Sequence, residues 1–272
     1  MSDVVVLVPL DGSEQALVAL PVAKVLSEIE RAVLRIVHVG ERKPAGAELL
    51  GRLRFEAPVL DGSTVEVRTG EPAAEILLAT SEMNPRLIVM CTHTEAKPGK
   101  MLGRTATNVL RHAPCPVVLV PPGRGSIAWH LQHVLVPHDG TPTTSAALRP
   151  AAELAERANA ELLVAHVTDV SAAPAEAGSL TTPLYVDQPQ HEWPAWTREF
   201  VKRLACICPL DHLHVSVVLA HGNPAAETVR LAKKQSTDLL VLAWRGEWEV
   251  PHAATLKAIL REARCPIMVV RA

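Results

Sequence analysis

Two aspartates occupy the same local setting in this 272-residue chain. Asp11 follows Val5-Val6-Leu7-Val8-Pro9-Leu10 and precedes Gly12-Ser13; Asp139 follows Val134-Leu135-Val136-Pro137-His138 and precedes Gly140-Thr141. A carboxylate at the end of an apolar run can accept hydrogen bonds from an adenine amino group or ribose hydroxyls, or it can cap the turn that follows. A second apolar run in each half ends in Met90-Cys91-Thr92-His93-Thr94 or in Ala243-Trp244-Arg245-Gly246, and Gly103-Arg104-Thr105 opens a helical pattern. Backbone N–H groups at a helix start attract phosphate. These residue types could hold a nucleotide-like ligand, or serve only as caps and turns at the ends of the strands. No nucleophile–base pair or pair of facing carboxylates is legible, so catalysis is not expected.

Other groups in the chain offer related chemistry. Lys97, Lys100 and Arg104 gather around Gly99 and Gly103 as a cation cluster that could hold an anion, though a solvated surface loop is the expected reading. Arg245 sits between Trp244 and Gly246 with Trp248 close by, an arrangement that can stack a flat ligand or pack against the other domain or the insertion. His138, beside Asp139, is expected on the surface. The twelve histidines include His130-x2-His133 and His212-x-His214, yet no carboxylate or cysteine completes a ligand set, and no metal is expected. Five cysteines without CxxC spacing fit a reducing cytoplasm, and Cys91 is expected to be a buried, inert thiol. A net charge of −2 and few aromatics argue against a nucleic-acid partner. Met1-Ser2-Asp3-Val4 has no basic leader, and no run nears the ~18–20 apolar residues that span a bilayer, so no membrane partner is expected.

The elements that position these residues come in two copies. Asp11 and Asp139 are 128 residues apart, and Arg35-Ile36-Val37-His38-Val39 matches Leu163-Val164-Ala165-His166-Val167 at the same offset. Gly70-Glu71-Pro72-Ala73-Ala74-Glu75 matches Gly222-Asn223-Pro224-Ala225-Ala226-Glu227, and Ala113-Pro114-Cys115-Pro116 matches Ala263-Arg264-Cys265-Pro266. Matched blocks in one order indicate tandem domains, 1–124 and 125–272, joined near Pro121-Pro122-Gly123, with an insertion near 171–191 in the second. Strands are expected at Val4–Pro9, Val33–Val39, Val65–Arg68, Leu87–Cys91 and Val117–Val120, and helices at Glu14–Ile29, Pro72–Glu82 and Arg104–His112. The second copy repeats the strands at Val134–Pro137, Glu161–Val167, Val215–Leu219, Leu239–Ala243 and Ile267–Val270, with a helix near Trp193–Ile207 after the insertion. Thr141-Pro142 and Asn223-Pro224 look like an N-cap followed by proline at the first helical position. Near-continuous apolar runs mark strands covered on both faces, hence an α/β fold with parallel sheets. In such sheets ligands bind beyond the carboxyl ends of the strands, where the strand order reverses.

Val-x-Val-Pro-x-Asp-Gly-Ser/Thr opening each copy, the His-Val strand end, the Gly-x-Pro helix start, the Asp238-Leu239-Leu240-Val241-Leu242 strand and the closing Cys-Pro together resemble the universal stress protein family in tandem form. The resemblance implies two tandem five-stranded parallel sheets in order 3-2-1-4-5 with helices on both faces. It also implies pairing along the last strands, which a tandem chain could make internally, with a homodimer and an unidentified protein partner left open. It places an ATP or AMP pocket at Pro9, Leu10, Asp11, Val39, Met90, Cys91, Thr94, Gly103, Arg104 and Thr105. The second-copy counterparts are Pro137, His138, Asp139, Val167, Ala243, Arg245 and Gly246.

Many family members grip ATP through Gly-x2-Gly-x9-Gly-Ser/Thr. Here Cys91 and Thr94 fall on the first two glycines, and Arg104 follows Gly103 in place of the hydroxyl. In the second copy Ala243 and Gly246 stand for the first two glycines and Ala253-Ala254 for the last pair. Replacing glycine removes easy access to positive φ and adds a Cβ where phosphate would approach. The expected function is a non-catalytic stress-response regulatory module with weak or lost ATP binding. The alternative is an adenine-nucleotide sensor with one competent domain, slow ATP hydrolysis being left open.

Overall fold

The computed structural model describes residues 4–40, 63–92, 102–122, 129–168, 199–200, 202, 205–206, 213–248 and 252–272. The chain divides into two compact units, Met1–His130 with Ala263–Arg271, and Leu131–Glu262 with Ala272. In the first unit β1 (Val5–Leu10) and β4 (Leu87–Cys91) are buried at every position. A strand apolar on both faces has to be covered on both, and this is why helices flank the sheet. With β2 (Val33–Gly40), β3 (Thr64–Thr69) and β5 (Val117–Val120) they form the order β3-β2-β1-β4-β5, all parallel. Successive crossovers run one way from β1 to β3 and the other way from β4 to β5, so the order reverses between β1 and β4.

The described helices of this unit are α1 (Glu14–Leu17), α2 (Ala19–Glu30), α3 (Pro72–Met83) and α4 (Arg104–His112). The sequence pattern predicts one helix over Glu14–Ile29, and the structure breaks it at Val18. Pro21 explains the break: it has no N–H to donate to the Leu17 carbonyl, and its ring crowds that oxygen. Beyond the break α2 buries Leu20, Val22, Ala23 and Leu26. Edge strand β3 is half-exposed and carries Arg68, which pairs with Glu66 at 2.8 Å and with Glu82 on α3. Charge of this kind discourages strand pairing at a sheet edge.

The second unit repeats the plan. β6 (His133–His138), β7 (Glu161–Thr168), β8 (Val215–His221) and β9 (Leu239–Trp244) lie in the order β8-β7-β6-β9, again parallel. Its fully described helices are α5 (Pro142–Ser145), α6 (Leu148–Ala158), α7 (Pro224–Lys234) and α8 (His252–Glu262). Pro150 separates α5 from α6 as Pro21 separates α1 from α2, four residues after the carbonyl it cannot bond. Thr141 and Asn223 are the N-caps that the sequence predicts: Thr141 Oγ1 accepts the Thr144 N–H at 3.2 Å, and Asn223 Oδ1 accepts those of Ala225 and Ala226 at 3.1 and 3.0 Å. The last strand, β10 (Ile267–Arg271), is counted with the first unit, where it runs antiparallel to β5 with Met268 opposite Val118.

The insertion near 171–191 lies outside the described residues. Of the helix expected over Trp193–Ile207, residues 199–200, 202 and 205–206 are described, and they are helical. No helix among the described residues is long and apolar enough to cross a membrane.

Leu26 is 0% exposed on α2. Leu26→Ala is expected to destabilise the first unit by about 2–5 kcal/mol, read from urea unfolding. A loss below about 1 kcal/mol would contradict the packing of α2 on the sheet.

Candidate functional site

A cleft of about 340 Å³ opens in the first unit at the reversal of strand order. Pro9, Leu10 and Asp11 line it from the end of β1, Val37 and Val39 from β2, and Met90, Cys91 and Thr92 from the end of β4. The start of α4 adds Gly103, Arg104, Thr105 and Ala106, with Pro72 and Ile76 from α3 and Ala16 from α1.

Local bonds hold these groups in place. Asp11 Oδ1 accepts the Ser13 N–H at 2.9 Å, and Ser13 Oγ caps α1 by accepting the Ala16 N–H at 3.1 Å. The turn between them needs Gly12 at φ 85°, a left-handed conformation that favours glycine. His38 Nδ1 donates to the Leu10 carbonyl at 2.9 Å and fixes the end of β1 from the buried side. The Gly103 N–H donates to the Thr92 carbonyl at 2.8 Å, which anchors the start of α4 beside the end of β4. Gly103 offers no side-chain cap, and the first turn of α4 contains no acidic residue. Its N–H groups are therefore available to an acceptor in the cleft.

Every first-copy residue singled out from the sequence lines this cleft except Thr94, which lies outside the described residues, as do Lys97, Gly99 and Lys100. Sequence reasoning missed Ala16, Val37, Pro72, Ile76, Thr92 and Ala106. Val37 shares a strand face with Val39, and Ile76 stands one helical turn beyond Pro72, so periodicity could have found both. Ala16 and Ala106 contribute by their small size, which carries no motif.

In the second unit the charged groups among the corresponding residues bond the turn that follows β6. Pro137 and His138 end β6, Val167 lies in β7, and Ala243 lies in β9 just before Trp244, Arg245 and Gly246. Asp139 Oδ1 accepts the Thr141 N–H at 2.9 Å and the Thr144 hydroxyl at 2.7 Å. Burial pushes this carboxyl up, but these hydrogen bonds and the neighbouring His138 outweigh it and hold it below the usual range. Thr144 takes the place that Ala16 has in the first copy. Arg245 donates from Nε and Nη2 to Thr143 Oγ1 at 3.0 and 2.6 Å.

Trp244 and Trp248, only 4% and 8% exposed, pack on each other at 4.6 Å between ring centroids. The Trp244 indole donates to the Glu247 carbonyl, and Lys257 of α8 donates to the Trp248 carbonyl and lies over its ring. These indoles pack within the second unit, and neither stands free to stack a ligand.

His138 corrects the sequence expectation of a surface histidine: it is 5% exposed. It accepts the Gly140 N–H at Nδ1 (2.8 Å), its Nε2 meets the Ser145 hydroxyl at 3.0 Å, and it stands opposite His166 in the β6–β7 register. Phe200 packs against both imidazoles at 5.2 and 5.3 Å. The physical reason is the strand face: its counterpart Leu10 is buried too, so the position belongs to the covered side of the sheet. Among the described residues no three His, Cys, Asp or Glu side chains gather as a metal site.

Parallel α/β units with a crevice at the reversal of strand order define the doubly wound class of ligand-binding domains. The profile of the Universal stress protein family matches residues 5–121 and 130–271. The chain belongs to that family, as a member with two tandem family domains. Universal stress protein Rv2623 of Mycobacterium tuberculosis is 26% identical over 212 residues, covering 74% of this chain and 66% of that protein, a little under two thirds of its length. A universal stress protein of Thermus aquaticus is 33% identical over 132 residues, covering 42% of this chain and 96% of the relative. Among solved structures, the functionally unknown PA1789 of Pseudomonas aeruginosa superimposes with a TM-score of 0.70 at 16% identity, over 99% of this chain and 93% of its own. A universal stress protein of Archaeoglobus fulgidus does so with 0.66 at 17% identity, over 98% of both chains. At such identity the two structures establish the fold.

Burial pushes both His138 and His166 down from 6.5 to about 4; for His138 the nearby Asp139 opposes the fall, and for His166 the His138 imidazole adds to it. The folded state thus keeps both neutral where the unfolded chain takes up protons. Their contribution to stability is full above about pH 6.5 and is lost as pH falls toward about 4. The thermal midpoint is expected to drop between about pH 7 and about pH 4.5, and His138→Leu, the first copy's residue, is expected to flatten that drop. A variant as acid-sensitive as the native chain would contradict the buried neutral pair.

Proposed function

We propose that this universal stress protein is a non-catalytic regulator that binds an adenine nucleotide, AMP or ATP, in the cleft of its first unit. The observation that carries the proposal is that cleft, with a carboxylate at one rim and an uncapped helix start at the other. Its volume of about 340 Å³ falls in the range of small-molecule pockets, about 300–1,000 Å³. Asp11 suits hydrogen-bond donors such as an adenine amino group or ribose hydroxyls. Val37, Val39, Ile76 and Met90 suit a flat apolar body, and the first turn of α4 suits an anionic tail. These groups grip and orient a ligand, which favours a sensor over an enzyme. The cleft also favours the sensor over a chain that has lost nucleotide altogether. Arg104 at the cleft, in place of the family's hydroxyl, makes the grip on phosphate more electrostatic.

The pairing of β5 with β10 supports the further reading that the last strands of the two repeats pair within one chain. A cytoplasmic location and an unidentified protein partner complete the proposal.

The test begins with small molecules released from denatured, freshly purified protein and identified by mass spectrometry. AMP and ATP are then titrated by calorimetry. Asp11→Ala is expected to weaken binding about 10–100-fold, the loss of a charge-assisted hydrogen bond. Native protein that binds neither nucleotide at millimolar concentration would overturn the proposal.

A further inference from the structure

We infer that the second unit holds a latched counterpart of the first unit's cleft, kept shut by Thr144 and Arg245, so that the chain takes one nucleotide and not two. The inference rests on the nucleotide function proposed for the first unit. It starts from a difference between two crevices with one topology. In each unit the strand order reverses beside the first strand of the repeat, between β1 and β4 or between β6 and β9. In the first unit Asp11 and the end of β4 line an open cleft, and the residue next to that carboxylate's turn is the small Ala16. In the second unit Thr144 replaces Ala16, and its hydroxyl bonds the carboxylate of Asp139 at 2.7 Å. A ligand donor directed at Asp139 has to displace it.

The second contact crosses the crevice. Arg245 follows β9 and Thr143 follows the β6 turn, and the guanidinium donates twice to one hydroxyl oxygen. Arg245, next to Gly246, thus directs its guanidinium at the Thr143 hydroxyl. Both contacts are exposed, whereas Trp244 and Trp248 are buried and pack on each other. Opening therefore breaks side-chain hydrogen bonds that water can replace and leaves the core intact. A closed form of this kind lowers the apparent affinity in proportion to the fraction of chains that are open.

The full-length double variant Thr144→Ala, Arg245→His tests this, because it gives the second copy the residues found at the matching positions of the first, Ala16 and His93. Two measurements are made. Calorimetry with AMP is expected to give one molecule per native chain and two per variant chain. Hydrogen exchange without nucleotide is expected to be at least about 10-fold faster in the variant over backbone residues 141–147 and 244–248, with the thermal midpoint retained. Two molecules bound by the native chain would overturn the latch and leave the nucleotide function standing. A variant that still binds one molecule, whether or not its exchange rises, would overturn the latch as well. If the native chain binds no nucleotide, the proposed function fails, and exchange decides the latch: unchanged rates overturn it, and accelerated rates uphold it.

Discussion

Burial of β1 and β4 on both faces constrains everything else in the first unit. Each of their residues is enclosed, so neither strand can offer a polar group along its length. Polar chemistry is confined to the carboxyl ends, where Asp11 and Thr92 emerge. Because the crossovers leave β1 and β4 in opposite directions, no described helix fills the gap between those ends, and a cleft lies there. Two bonds to main-chain carbonyls set its dimensions: the His38 imidazole to Leu10, and the Gly103 N–H to Thr92. The carboxylate and the uncapped helix start are therefore held at opposite rims by the fold itself.

Much of this was legible in the chain. Runs such as Val5-Val6-Leu7-Val8 and Leu87-Ile88-Val89-Met90-Cys91 leave little choice but doubly covered strands, and Thr141-Pro142 and Asn223-Pro224 announce their helices through capping chemistry. The break after Leu17 escaped because apolar periodicity continues through it, while the steric effect of Pro21 acts four residues upstream. His138 was misread because its polarity suggested solvent; the face it occupies is fixed by its register with His166 and by Phe200, neither of which is near it in the chain. The cleft-lining alanines were invisible for a different reason. Ala16 and Ala106 matter because larger side chains would occupy the space.

The two repeats show how side chains can diverge while a backbone plan persists. The same register that pairs Leu10 with His38 pairs His138 with His166, so a leucine–histidine pair in one copy becomes a pair of buried imidazoles in the other. The same turn that leaves Asp11 with one bond from Ser13 gives Asp139 an additional hydroxyl donor. Thus Asp11 lines a cavity, whereas Asp139 and Arg245 bond threonine side chains and backbone of the adjoining turn. A tandem chain tolerates such divergence because each sheet retains the buried strands that stabilise it.

The central claim is the location of the ligand, and photolabelling of the full chain with 8-azido-AMP followed by peptide mapping tests it most directly. The account predicts label on peptides carrying residues 9–16, 87–92 or 102–106. Label confined to residues 137–145 or 242–248 would contradict it.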